Sequence, residues 1–121
     1  MDPVAIINRN PDIIIRNSVD GLAQGYQGWS KKKMAEQAQR VANRPGWNAI
    51  KAIKNKDVYV TNNFLYSAFG KQFGALLVAK SLYPDRFADI DMDTYFSRWL
   101  KLQGVPGVPA SKYIYKLGEP T

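Results

Sequence analysis

RPGWNAIKAIKNKDVYVTNN, residues 44–63, decides the fold. Pro45 and Gly46 break the chain, and Trp47, Ile50 and Ile53 then recur at helical spacing, which predicts a short helix over Trp47 to Ile53. Asn55 to Asp57 turn the chain, and Val58, Tyr59 and Val60 predict a strand. A helix feeding a β-branched strand is the second half of a βαβ unit, so the first strand is sought upstream.

That strand is supplied by Ile13, Ile14 and Ile15. Three consecutive β-branched residues without alternation fit a strand covered on both faces, the signature of a parallel sheet. Before it, Asp2 and Pro3 start a helix expected over Pro3 to Arg9, and Asn10 followed by Pro11 stops it. After it, NSVDGLAQGYQGW, residues 17–29, holds three glycines and little periodicity, as a long loop leaving the carboxyl end of the strand would. Ser30 caps a helix running to about Asn43, with Met34, Ala38, Val41 and Ala42 on one face and basic residues on the other.

Downstream, Phe69, Phe73, Leu76, Leu77 and Lys80 recur at three- and four-residue spacing and predict a helix to about Leu82, ended by Pro84. Asp91 or Asp93 caps a last helix carrying Tyr95, Phe96, Trp99, Leu100 and Gln103. Two Gly-Val-Pro turns then lead to a short edge strand at Tyr113 to Tyr115. The expected fold class is α/β: a partial lobe of three αβα layers, with a small parallel sheet flanked by helices.

With 121 residues and 45% hydrophobic content, the chain fills one core, and no composition shift divides residues 1–121. The net charge of +7 admits an anionic ligand, a membrane surface or nucleic acid as partner. The lysines and arginines punctuate every helix and turn instead of forming one stripe, as solvated faces do. Zero cysteines exclude disulfides, thiolate metal sites and cysteine nucleophiles, and zero histidines remove the commonest general base and metal ligand. No run of eighteen apolar residues and no basic-then-apolar leader is present, which is expected of a cytosolic protein or a piece of a longer polypeptide.

GLAQGYQG lacks both the GxGxxG spacing and the GK[ST] ending that grip phosphates, so its glycines serve turning. Asp89, Asp91 and Asp93 alternate at a helix start, where capping accounts for them without acid–base chemistry. Ser18, Ser30 and Ser67 have no histidine to activate them. No catalytic residue and no direct metal ligand is expected. What remains is one edge where the two parallel strands exit, offering Arg16, Asn17, Ser18, Tyr26, Trp29, Asn62, Asn63, Phe64 and Tyr66. Aromatic faces mixed with a few hydrogen-bonding groups suit holding a sizeable ligand unaltered.

DPVAIINRNPDIII, then RPGWNAIKAIKNKDVYVTNN, then FGKQFGALLVAKSLYPDRF, resembles in that order the carboxyl-terminal lobe of ABC-importer substrate-binding proteins, in the branch handling iron-siderophore, haem and cobalamin ligands. The resemblance extends from about Asp2 to Gly104. It implies an extracytoplasmic receptor lobe with no cofactor of its own. Its ligand would be a transported iron chelate, haem or cobalamin, held by Arg16, Asn17, Tyr26, Trp29, Asn62, Asn63, Phe64 and Tyr66. It further implies an amino-terminal lobe and the start of this lobe upstream of Met1, a membrane permease as docking partner, and no nucleic-acid partner. Family members place a glutamate for the permease in the helix before the Pro-Asp step, where this chain has Val4 and Ala5 with Asp2 nearby. The alternative from another class is a small basic α/β module binding nucleic acid through Lys31 to Lys33, Lys51, Lys54 and Lys56. A two-stranded sheet leaves edges unpaired and isoleucines uncovered, so the isolated chain is expected to associate with further copies.

Overall fold

The computed structural model describes residues 2–18, 30–66, 70–104 and 112–121. Asp2 Oδ1 accepts from the Val4 amide at 2.9 Å, and Pro3 occupies the first position of helix α1, Pro3–Arg9. Asn10 ends that helix in the left-handed region and turns its side chain outward, where Oδ1 accepts from the Lys51 amide at 2.9 Å. The Pro11 carbonyl accepts from Ala52 at 3.1 Å. The NPD step is thereby bolted to the middle of residues 44–63 before strand β1, Ile14–Ser18, begins.

Helix α2, Lys31–Ala42, starts at Ser30, whose Oγ accepts from the Lys33 amide at 3.3 Å. Its buried side is Met34, Gln37, Ala38 and Val41. Gly46 then takes a φ of 81°, a conformation costly for any residue with a side chain, and turns the chain into a 3₁₀ turn at Trp47–Ala49. Ile50 is extended, so the single helix expected over Trp47 to Ile53 is two pieces: that turn and the short helix α3, Lys51–Lys54. The reason is tertiary. The amides of Lys51 and Ala52 are taken by Asn10 and Pro11, which starts a fresh helix at Lys51.

Strand β2, Val58–Asn62, follows and pairs parallel with β1, Ile14 opposite Val58 and Ser18 opposite Asn62. A 3₁₀ turn at Asn63–Tyr66 leads toward α4, Lys71–Leu82, and a further 3₁₀ turn at Pro84–Phe87 leads to α5, Met92–Leu102. The last strand, β3, Ile114–Lys116, pairs antiparallel with β2, giving the order β1-β2-β3. The fold is α/β with a small sheet between helices, as expected, and the sheet is mixed because the short strand anticipated at Tyr113 to Tyr115 runs against β2.

Side-chain alternation along β2 divides the core. Val58 and Val60 pack with Met34, Ala38 and Val41 of α2, with Trp47, Ile50 and Ala52, and with Tyr115 and Leu117. Tyr59 points the other way, its hydroxyl donating to the Ser81 carbonyl of α4 at 3.3 Å. On that side Leu65, Leu77, Met92, Phe96, Leu100 and Tyr113 form the second cluster, with Phe96 stacked on Tyr113 at 4.7 Å and against Phe73 at 4.9 Å. β2 is buried along its whole length. The expectation that the isoleucine strand is covered on both faces is corrected: Ile14 packs on the first cluster, whereas Ile13 and Ile15 remain 39% and 38% exposed, since among the described residues no strand lies on the outer side of β1.

Candidate functional site

Parallel pairing sends both chain exits to one edge of the sheet, with Asn17 level with Thr61 and Ser18 level with Asn62. There Asn17 Nδ2 donates to Asn63 Oδ1 at 2.7 Å, a clasp between residues 46 apart in sequence. Just below it, Thr61 Oγ1 donates to the Arg16 carbonyl at 3.4 Å. Asn62 is 1% exposed, its amide donating to the Tyr113 carbonyl at 2.8 Å, so it lies beneath the rim.

The turn after Asn63 buries Leu65, and α4 presses on it closely enough that a Cβ at Gly74 would stand 2.2 Å from the Leu65 carbonyl oxygen. That approach leaves a cleft of about 600 Å³ between α4 and the end of β1, lined by Ile15, Asn17, Leu65, Lys71, Gly74, Ala75 and Val78. The walls are apolar, and the Asn17 amide and Lys71 ammonium bring hydrogen-bonding and positive charge to them. Such a set can hold an apolar body with an electron-rich margin. A broader trough of about 650 Å³ follows the outer face of α2, and a third of about 570 Å³ follows α5. Neither touches the strand exits, so the α4 cleft is the candidate site.

Of the residues expected at the edge, the structure brings Asn17 and Asn63 into contact. Alternation along β1 sends the Arg16 side chain to the opposite face from Asn17, leaving its carbonyl at the site. Phe64 and Tyr66 belong to the turn at Asn63–Tyr66, but their side chains lie outside the described residues, as do Tyr26 and Trp29 altogether. Lys71, Ala75 and Val78 were missed by the reading of the sequence, although their spacing of four and three marks a second stripe on α4 beside the one carrying Phe73 and Leu77.

Asp91 caps α5, accepting from the Asp93 and Thr94 amides at 3.0 and 3.3 Å and from Thr94 Oγ1 at 2.7 Å. The Thr94 hydroxyl bond, helped by the Thr94 amide, holds its carboxyl below the usual carboxylate range. Capping accounts for this residue in full. Among the described residues no three acidic or metal-binding side chains gather in a metal-ligating group, and no helix is long and apolar enough to cross a membrane.

No protein-family model and no curated protein sequence matches the chain. Among solved structures it is similar to a TroA-like periplasmic binding protein, FepB, from Veillonella parvula, with a TM-score of 0.75 and 21% identity over 98% of this chain. The chain spans about a third of that protein, 35% of its length. At this identity the likeness concerns the fold: the mixed sheet with its flanking helices is shared with a part of that binding protein.

Proposed function

We propose that this chain is a non-enzymatic ligand-binding lobe of an extracytoplasmic solute receptor, which captures an iron chelate, haem or a cobalamin-like ligand and passes it to an ABC permease. One observation carries the reading: the two parallel strands exit together, are clasped by Asn17 and Asn63, and open onto the cleft under α4. The cleft offers area and two polar handles, a provision for holding a ligand intact. Its fold neighbour is a periplasmic binding protein, in keeping with that use and with a location outside the cytoplasm. On this reading a second lobe faces the cleft from the far side of the ligand, and Lys71 meets the anionic margin that a ferric chelate or haem presents.

The test is titration of the ¹⁵N-labelled chain with a ferric hydroxamate, a ferric catecholate, haemin and cyanocobalamin. Only part of the receptor is present, so affinity on the order of 0.1–1 mM is expected. Amide shifts should concentrate at Asn17, Asn63, Lys71 and Val78 and weaken in Lys71→Ala. Shifts confined to the α2 trough, or none with any of the ligands, would refute the proposal. Retention of a DNA oligomer with a steep salt dependence would favour the basic-module alternative.

A further inference from the structure

Spread along the sequence, the cations are gathered by the fold. Helices α1, α2 and α3 pack on the first cluster, on one face of the sheet, and α4 and α5 pack on the second, on the other. Residues 2–9 and 30–56, which supply the first layer, hold nine lysines and arginines against Asp2 and Glu36, a surplus equal to the net charge of +7 of the whole chain. Residues 71–101, which supply the second, hold five against four aspartates. Eight of the nine cations of the first layer are exposed, and Lys31 is half-buried. Lys51 approaches Asp12 at 3.8 Å, and no other ion pair forms in this layer among the described residues. Covering such a surface with an apolar segment would desolvate unpaired charges, so it is wet by its own chemistry and not for want of a neighbour.

We propose that this layer adsorbs on an anionic lipid surface, its lysines and arginines lying against headgroup phosphates. The inference is independent of ligand capture. Charge spread over three helices makes a broad face, which suits a planar array of anions. Six of the nine cations are lysines, compact charges that meet a phosphate without demanding a fixed geometry. Along α2 the trough of about 650 Å³ is lined by Lys32 and Arg40 with Glu36 between them in sequence, a recess that sets two cations beside a headgroup. A nucleic-acid strand is held differently, by a track of cations with aromatic rings on which bases stack. The only aromatic ring among the described residues of this layer, Trp47, is 2% exposed and has the Arg44 guanidinium over it at 4.7 Å. No described side chain there offers a base a stacking face.

At about 0.1 M salt the Debye length is about 10 Å, so cations across the sheet add little to an attraction exerted through the first layer. The test is cosedimentation of the unmodified chain with vesicles of phosphatidylcholine containing about 30% phosphatidylglycerol, against vesicles of phosphatidylcholine alone. Binding to the anionic vesicles is expected, weakening about tenfold or more as salt rises from about 0.1 to about 0.5 M. Lys32→Gln, Lys33→Gln and Arg40→Gln together should weaken it about tenfold or more. Arg86→Gln, Arg98→Gln and Lys101→Gln together remove the same charge from the opposite layer and should change it less than about twofold. Circular dichroism of both triple variants verifies folding. No binding to the anionic vesicles, equal binding to the neutral ones, equal losses in the two triple variants, or a preference for a DNA oligomer over the anionic vesicles at equal phosphate would each overturn the proposal. None of these outcomes alters the ligand titration, which reads shifts at the α4 cleft.

Discussion

Gly74 fixes how near α4 can lie to the turn after β2, because the position a Cβ would take is already filled by the Leu65 carbonyl at 2.2 Å. Backbone atoms give way only by moving the whole turn. Gly74→Ala should therefore cost about 1–3 kcal/mol, despite the better helix propensity of alanine. The urea midpoint measures the loss, and amide shifts at Asn63 to Leu65 show whether the turn has moved. An unchanged midpoint would mean α4 does not press on Leu65. The Asn17–Asn63 clasp is more exposed, so Asn17→Ala should cost about 0.5–1 kcal/mol, and a double-mutant cycle with Asn63→Ala should recover most of that as coupling. Single residues were unevenly legible in the sequence. Asn17 and Asn63 were found because strand exits are where polar residues become available. Lys71 and Val78 were overlooked because the aromatic stripe of α4 is stronger and claimed the helix for the core. Nothing local marks Asn62 as buried, since a strand end becomes enclosed only when Tyr113 returns from a distant part of the chain to accept its amide.

Elements were legible wherever a cap or a breaker states its own boundary. Ser30, the Asn10–Pro11 step and Asp91 mark theirs, and α2 and α5 lie where these residues place them. The segment from Trp47 to Ile53 was less legible, because its division at Ile50 depends on acceptors from Asn10 and Pro11, some forty residues away, which no periodicity records. The Asp91 cap can be tested by pH. Its carboxyl is held below the usual range by the Thr94 hydroxyl and by the amides of the first turn, so the folded state favours the ionised form. A depressed folded pKa contributes stability above the unfolded value, near about 3.9, and that contribution is lost as pH falls through the folded value. The gap in melting temperature between the parent and Asp91→Ala should thus be largest near neutrality and shrink progressively once the pH falls below the unfolded value. A gap that stays constant through acid unfolding would show that the aspartate acts through its shape, not its charge.

At the scale of the whole molecule, β2 is the element that both halves of the core share. Strand order decides this, and the sequence does not declare it: the isoleucines of β1 and the valines of β2 look equally fit for the centre, yet among the described residues only β2 has a neighbour on each side. One cluster rests on Val58 and Val60. The other packs about Phe96 and Tyr113, and Tyr59 reaches α4 from the same strand. A defect on one side should accordingly be felt on the other. Phe96 is fully buried between Phe73 and Tyr113, so Phe96→Ala should cost about 3–5 kcal/mol, a large part of the roughly 5–15 kcal/mol that holds a domain folded. If β2 transmits that loss, amide protection in α2, across the sheet, should fall together with protection in α5 as urea is raised, with one midpoint for both. Met34→Ala, a defect of about 2–5 kcal/mol placed in the opposite cluster, should produce the same joint fall from the other direction. Separate midpoints for α2 and α5 in either variant would show that three short strands do not couple the two layers, and that the helices of each cluster unfold as a unit of their own.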